Sequence, residues 1–180
     1  ITDSGKAQAA ERARSKKQDG WLLTLDFHSY DAVITYADDR NLREEIYRAY
    51  ATRASDQGPQ AGAHDNGALM AEILQPRFEL ARLLAYQNYA EVSFATKMAE
   101  SPGAVERFLL ELAAKAKPRA KAELDELREF AQQKNSLTGL QPWDVPYYAE
   151  KLKQDKLGLS DEELRPYFPA PQVMEGLFKL

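Results

Sequence analysis

The chain has 180 residues, 44% hydrophobic and 29% charged, which is enough apolar material for one sizeable core and too much for a disordered polymer. Its net charge of −4 comes from 28 acidic and 24 basic residues of mixed distribution, which argues against nucleic acid as a partner; the short cluster Arg12-Ala13-Arg14-Ser15-Lys16-Lys17 reads as a solvated helix face. There is no cysteine, which excludes disulfides and thiolate metal sites, and no apolar run of bilayer length, so a membrane role is not expected and a cytoplasmic setting fits.

Residues 1–19 read as a polar lead-in, helical or partly disordered, with no apolar core of a signal peptide. Trp21 to Phe27 is a short apolar run containing Thr24, the one place where a short β element fits. Ser29 is expected to cap a short helix through Ala37 that buries Val33 and Ile34, with Tyr36 near the same face. The next helix runs from Asn41 to about Ser55, with Leu42, Ile46, Ala49, Tyr50 and Arg53 at three- and four-residue steps.

Three glycines and a proline make residues 57–67 a loop. Asp65 or Asn66 then caps a long helix with a buried stripe of Leu69, Met70, Ile73, Leu74, Ala81 and Leu84, bent at Pro76. Tyr89 to Glu100 is helical. Ser101-Pro102 restarts a helix with serine as N-cap and proline at its first position. Val105, Phe108, Leu109, Leu112 and Ala116 form its face. Pro118 is expected to kink or end that helix, and Leu124, Leu127 and Ala131 continue the stripe beyond it.

After a loop over 135–142, Val145 to Asp155 is helical with Asp144 as a candidate cap. Ser160-Asp161-Glu162-Glu163 has capping-box spacing and starts a helix that stops before Pro166. The last helix begins at Pro171 and reaches Leu180 on apolar residues without a stop signal, which reads as a fragment of something longer. The fold class is therefore all-α, a multi-helix array with at most one short β element near residues 21–27. Residues 20–180 read as one helical domain.

Few residues suggest chemistry. His28 and His64 are the only histidines and lie far apart in the sequence, so no catalytic or metal-ligating set is assigned. Glu44-Glu45, Asp38-Asp39 and Glu162-Glu163 sit near helix starts, where negative charge complements the helix dipole. No nucleophile-elbow or phosphate-loop spacing occurs. Tyr147 and Tyr148, with Trp143 and Asp144 nearby, are the best functional candidates, since an aromatic ring with a hydroxyl can both pack and hydrogen-bond; core packing is the competing and favoured reading.

The stretch Trp143-Asp144-Val145-Pro146-Tyr147-Tyr148-Ala149-Glu150-Lys151-Leu152, followed by Leu164-Arg165-Pro166-Tyr167-Phe168-Pro169, resembles the thimet-type oligopeptidases, zinc metallopeptidases that cut short peptides, and among them the oligopeptidase A branch. Gly20 to Asp26, Leu42 to Gly58, Asn88 to Glu91 with Ala95 to Pro102, and Val173 to Phe178 match in the same order, whereas residues 1–19 match poorly. His28 in place of a proline, and Pro76 and Phe78 within a helix, depart from the pattern. The family's His-Glu-x-x-His sequence is absent from this chain.

The resemblance implies a segment preceding the metal helix, inactive alone. It would contribute a lobe and a channel wall to a cytoplasmic parent that holds zinc and hydrolyses short peptides. The remainder of that parent would be its partner. A free-standing helical interaction module is the alternative. If the segment stands alone, an unfinished apolar face of Val173, Leu177, Phe178 and Leu180, joined by Tyr167 and Phe168, is expected to drive homodimerisation.

Overall fold

A computed structural model describes residues 1–179. Its elements are α1 (Asp3–Ser15), α2 (Phe27–Tyr36), α3 (Arg40–Ala51), α4 (Gly67–Leu83), α5 (Tyr89–Phe94), α6 (Pro102–Asn135), α7 (Val145–Leu157), α8 (Asp161–Leu164) with a 3-10 turn over Arg165–Tyr167, and α9 (Ala170–Leu177). The fold is all-α, and among the described residues no strand forms.

The run Trp21–Phe27, the one candidate for a strand, is irregular up to the start of α2. Its amides find other acceptors. Leu22 N–H donates to the Ala9 carbonyl of α1, and Thr24 N–H donates to the Ser29 hydroxyl. A lone extended segment cannot build a ladder, so side chain and helix carbonyl take the place of a partner strand. Asp26, one turn before Ser29, caps α2 by accepting the Ser29 amide. Ser29 is buried inside the first turn rather than serving as the cap.

The chain divides into two compact units, Ile1–Ala51 with Glu126–Leu180 as the first and Thr52–Asp125 as the second. In the first unit α2 packs on α1, α3 and α7. Val33, Ile34, Ala37, Ile46 and Trp143 are buried together, with Leu23, Leu25, Tyr30, Leu42 and Tyr47 against them. Leu127, Ala131 and Tyr148 form a second buried group with Phe130, Leu137, Leu140 and Val145. Trp143 thus joins residues from the start of the sequence in the first group, while the second is drawn from residues 127–152 alone.

In the second unit α4 packs on α5. Ala81 is fully buried there. The rest of the stripe predicted to be buried is not: Leu69, Met70, Ile73, Leu74 and Leu84 are exposed, as are Phe108, Leu109 and Leu112 of α6. The stripe keeps its helical period, but within this unit no element covers the face it defines.

Both internal prolines lie within continuous helix, so neither Pro76 nor Pro118 ends its element. Each removes one hydrogen bond, to the carbonyl four residues back. Those carbonyls belong to Glu72 and Ala114, exposed residues at which water can replace the lost donor. Ser101 caps α6 through the Ala104 amide, and Ser160 forms a full capping box with Glu163, both as the spacing predicts.

Three helices end without glycine where the backbone turns left-handed. Lys17, Ala85 and Ser136 have φ of 56°, 64° and 53°. At Ser136 the Ser136 amide reaches the Gln132 carbonyl and the Leu137 amide reaches the Ala131 carbonyl, closing α6. An L-residue there costs about 1 kcal/mol or more relative to glycine. Ser136→Gly is expected to raise the stability of the first unit by roughly 0.5–1 kcal/mol. A urea transition followed by the fluorescence of buried Trp143 measures it; an unchanged or lowered midpoint refutes it.

Candidate functional site

The four residues singled out from the sequence lie at the entrance to α7. The structure brings to them two arginines that the sequence reading passed over. Asp144 is the residue before α7, and its carboxylate is fully buried. It does not cap the helix. Instead it accepts from Arg40 Nε (3.0 Å) and Nη2 (2.8 Å), from Arg43 Nη2 (3.0 Å) and from the Gln141 amide (3.0 Å). A cap needs a free carboxylate oxygen, and here both are taken by guanidinium groups.

Arg43 is only 2% exposed, which for an unpaired arginine would be prohibitive. Its donors are almost fully used. Nε donates to the Trp143 carbonyl (3.3 Å), Nη1 to the carbonyls of Ala37 (2.6 Å) and Asp38 (3.2 Å), and Nη2 to Asp144. Ala37 closes α2, so the cation sits at the negative end of that helix. The Asp144 carboxylate sits at the positive end of α7. One arginine–carboxylate pair therefore joins the end of α2 to the start of α7 and complements both dipoles.

The aromatic residues pack around this pair. Tyr147 lies under the Arg43 guanidinium, 4.1 Å from its ring centre, and its hydroxyl donates to Asp38 (2.9 Å). Burial, the Asp38 hydrogen bond and the Asp38 charge push the Tyr147 phenol up to about 12. Tyr148 is buried, meets Tyr147 edge-on and donates to Asn135 (3.2 Å). Trp143 is buried against Tyr47, with Arg48 over its ring at 5.2 Å, and among the described residues its indole N–H has no hydrogen-bond partner. Of the four candidates, Tyr147 alone is only partly buried.

A sequence signal for Arg43 did exist. It lies three residues before Ile46 and seven before Tyr50, on the same side of α3. An arginine inside an apolar stripe calls for a buried carboxylate. Which carboxylate, 101 residues away, has no local signature.

The sequence model of Peptidase family M3 matches residues 33–180. This chain belongs to Peptidase family M3. The oligopeptidases A of Salmonella typhimurium and Escherichia coli K12 are each 53% identical to it over all 180 residues. A probable cytosolic oligopeptidase A of Arabidopsis thaliana is 44% identical over 162 residues, 89% of the chain. The bacterial alignments cover the whole chain, including residues 1–19, where the motif match is poor. The chain spans only about a quarter of the length of these relatives, 26% of each bacterial protein and 22% of the plant one.

Within this M3 segment both oxygens of the Asp144 carboxylate are engaged, by the guanidinium groups of Arg40 and Arg43 and by the Gln141 amide. His28 on α2 and His64 before α4 are both exposed. Among the described residues no group of three or more His, Asp or Glu side chains is gathered as a metal site requires. No helix among the described residues is long and apolar enough to cross a membrane.

Burial pushes the Asp144 carboxyl up, but the hydrogen bonds from Arg40, the Gln141 amide and Arg43 outweigh it and hold it below its ordinary value of 3.8. A depressed carboxyl contributes stability that is full above the unfolded value and lost as pH falls through the folded one. The first unit is expected to destabilise below about pH 4, and Asp144→Asn to flatten that dependence. At neutral pH the same change strands Arg43 without its counter-ion and should cost about 3–5 kcal/mol. Urea titrations across pH, read at Trp143, test both; a wild-type acid slope retained in the variant would refute the assignment.

Proposed function

We propose that this chain is a non-catalytic part of a zinc-dependent oligopeptidase, building a lobe and part of the wall of a channel that admits short peptides. The apolar side chains left uncovered carry the reading. Leu69, Ile73 and Leu74 of α4, Phe108 and Leu112 of α6, and Val173 and Leu177 of α9 are all exposed. Apolar faces of this kind suit a segment that is covered when the remaining three-quarters of the relatives' length is present.

In this reading zinc and the water it activates belong to the parent's other segments, and the metal would supply the nucleophile and polarise the scissile carbonyl. The residues of this chain would exclude folded substrates by shape. Tyr147, held by Arg43 and Asp38, is the candidate for contact with a passing peptide backbone, while Trp143, Asp144 and Tyr148 fix its position. The parent would act in the cytoplasm, as the name of the cytosolic plant relative and the lack of cysteine suggest. Alone, the chain would associate through the exposed side chains of Tyr167, Phe168, Val173, Leu177 and Phe178. Leu180, the other member of that predicted face, lies outside the described residues.

The test is replacement. Residues 1–180 are exchanged for the matching segment of Escherichia coli oligopeptidase A. The chimera is expected to cleave a short peptide and to lose the activity to a chelator, while the chain alone cleaves nothing. Chelator-sensitive hydrolysis by the isolated chain, or a folded chimera without activity, would overturn the proposal.

A further inference from the structure

We infer that the first unit carries a cavity that binds a small zwitterion, a free α-amino acid or a dipeptide. The inference does not depend on the peptidase reading, since every residue it uses lies within one unit of this chain.

The cavity encloses about 710 Å³ between α1, α2 and the α8 turn. That is within the ordinary range of small-molecule sites, about 300–1,000 Å³. Arg12 of α1 is its decisive residue. The Arg12 side chain lines the cavity and is 28% exposed. Asp26 stands 3.9 Å from its Nη1, too far for a hydrogen bond. Among the described residues Nη1 finds no acceptor, although it is shielded from solvent.

Asp26 is committed elsewhere. One of its oxygens accepts the Ser29 amide and caps α2, and the other accepts the Thr24 hydroxyl. A guanidinium takes two parallel hydrogen bonds from a planar carboxylate when one is in reach. The fold places charge near Arg12 without that partner. A ligand carboxylate entering through the cavity supplies it at the accessible edge of the guanidinium.

Arg12 by itself would suit any small anion; the rest of the wall narrows the class. Arg165 already donates to the Ser4 hydroxyl (2.6 Å), and Asp161 already accepts from Lys153 (2.8 Å). Asp31 receives one long hydrogen bond, 3.4 Å from Thr35, and keeps acceptor capacity for an ammonium group. Of the arginines and aspartates on the wall, carboxylates outnumber guanidinium groups three to two. A phosphate dianion would meet repulsion there. A zwitterion brings no net charge, and it can set its carboxylate on Arg12 and its ammonium on Asp31.

Nitrogen-15 spectra of the chain test this by titration with glycine and glycylglycine, and in parallel with acetate and inorganic phosphate. The amides of Ser4 and Gly5 and the Arg12 Nε–H are expected to shift saturably with the two zwitterions at millimolar concentration. Acetate and phosphate should bind about tenfold or more weakly. Arg12→Gln should weaken glycylglycine about tenfold or more, and Asp31→Asn should remove the preference for glycylglycine over acetate. The urea midpoint read at Trp143 shows whether Arg12→Gln is folded; if it is not, Asp31→Asn, on the exposed rim, decides. Three results would overturn the inference: no saturable shift, acetate or phosphate bound as tightly as the zwitterions, or folded variants that bind as the wild type does.

Discussion

The first unit depends on one buried ion group, Arg43 and Arg40 on Asp144. Arg43 is held by the carbonyls that end α2 and by the carboxylate that precedes α7, so neither helix can leave without stranding a charge. Such a pair adds little net stability compared with a well-packed apolar replacement, because both ions must shed water. Its effect is on geometry. An apolar contact tolerates sliding, whereas a guanidinium with nearly all its donors engaged does not.

That constraint explains the order around it. Tyr147 lies on the Arg43 plane, Tyr148 is turned edge-on to it and buried, and Trp143 packs into the core beside Ile46. Asp38, at the α2–α3 junction, accepts the Tyr147 hydroxyl, so the same junction positions both the arginine and the ring. Among the described residues the Trp143 indole N–H finds no hydrogen-bond partner, and the cation over its ring offsets part of that cost.

The second unit has no comparable centre. Its helices carry strong local signals: Asn88 caps α5, Ser101 caps α6, and α6 continues through Pro118 as part of a 34-residue element. Local signals make a helix, but packing stabilises it. Burying one of the exposed leucines would be worth about 1.5–3 kcal/mol, and in this unit that stabilisation waits for a cover.

The sequence by itself determined most of the helices, the caps at Ser101 and Ser160, and the family. Helix period, Ser101-Pro102 and the Ser160 box act over a few residues, so they are legible without a fold. Tertiary structure decided the rest. It made Asp26 rather than Ser29 the cap of α2, because the Ser29 hydroxyl was needed by Thr24. It took Asp144 from the capping role that its position suggested and gave it to two arginines about a hundred residues earlier. It left the α4 stripe uncovered, since a hydrophobic period states that a face must be buried and not what buries it. Electrostatic partners and covering surfaces are set by distances in space, and no local spacing records them.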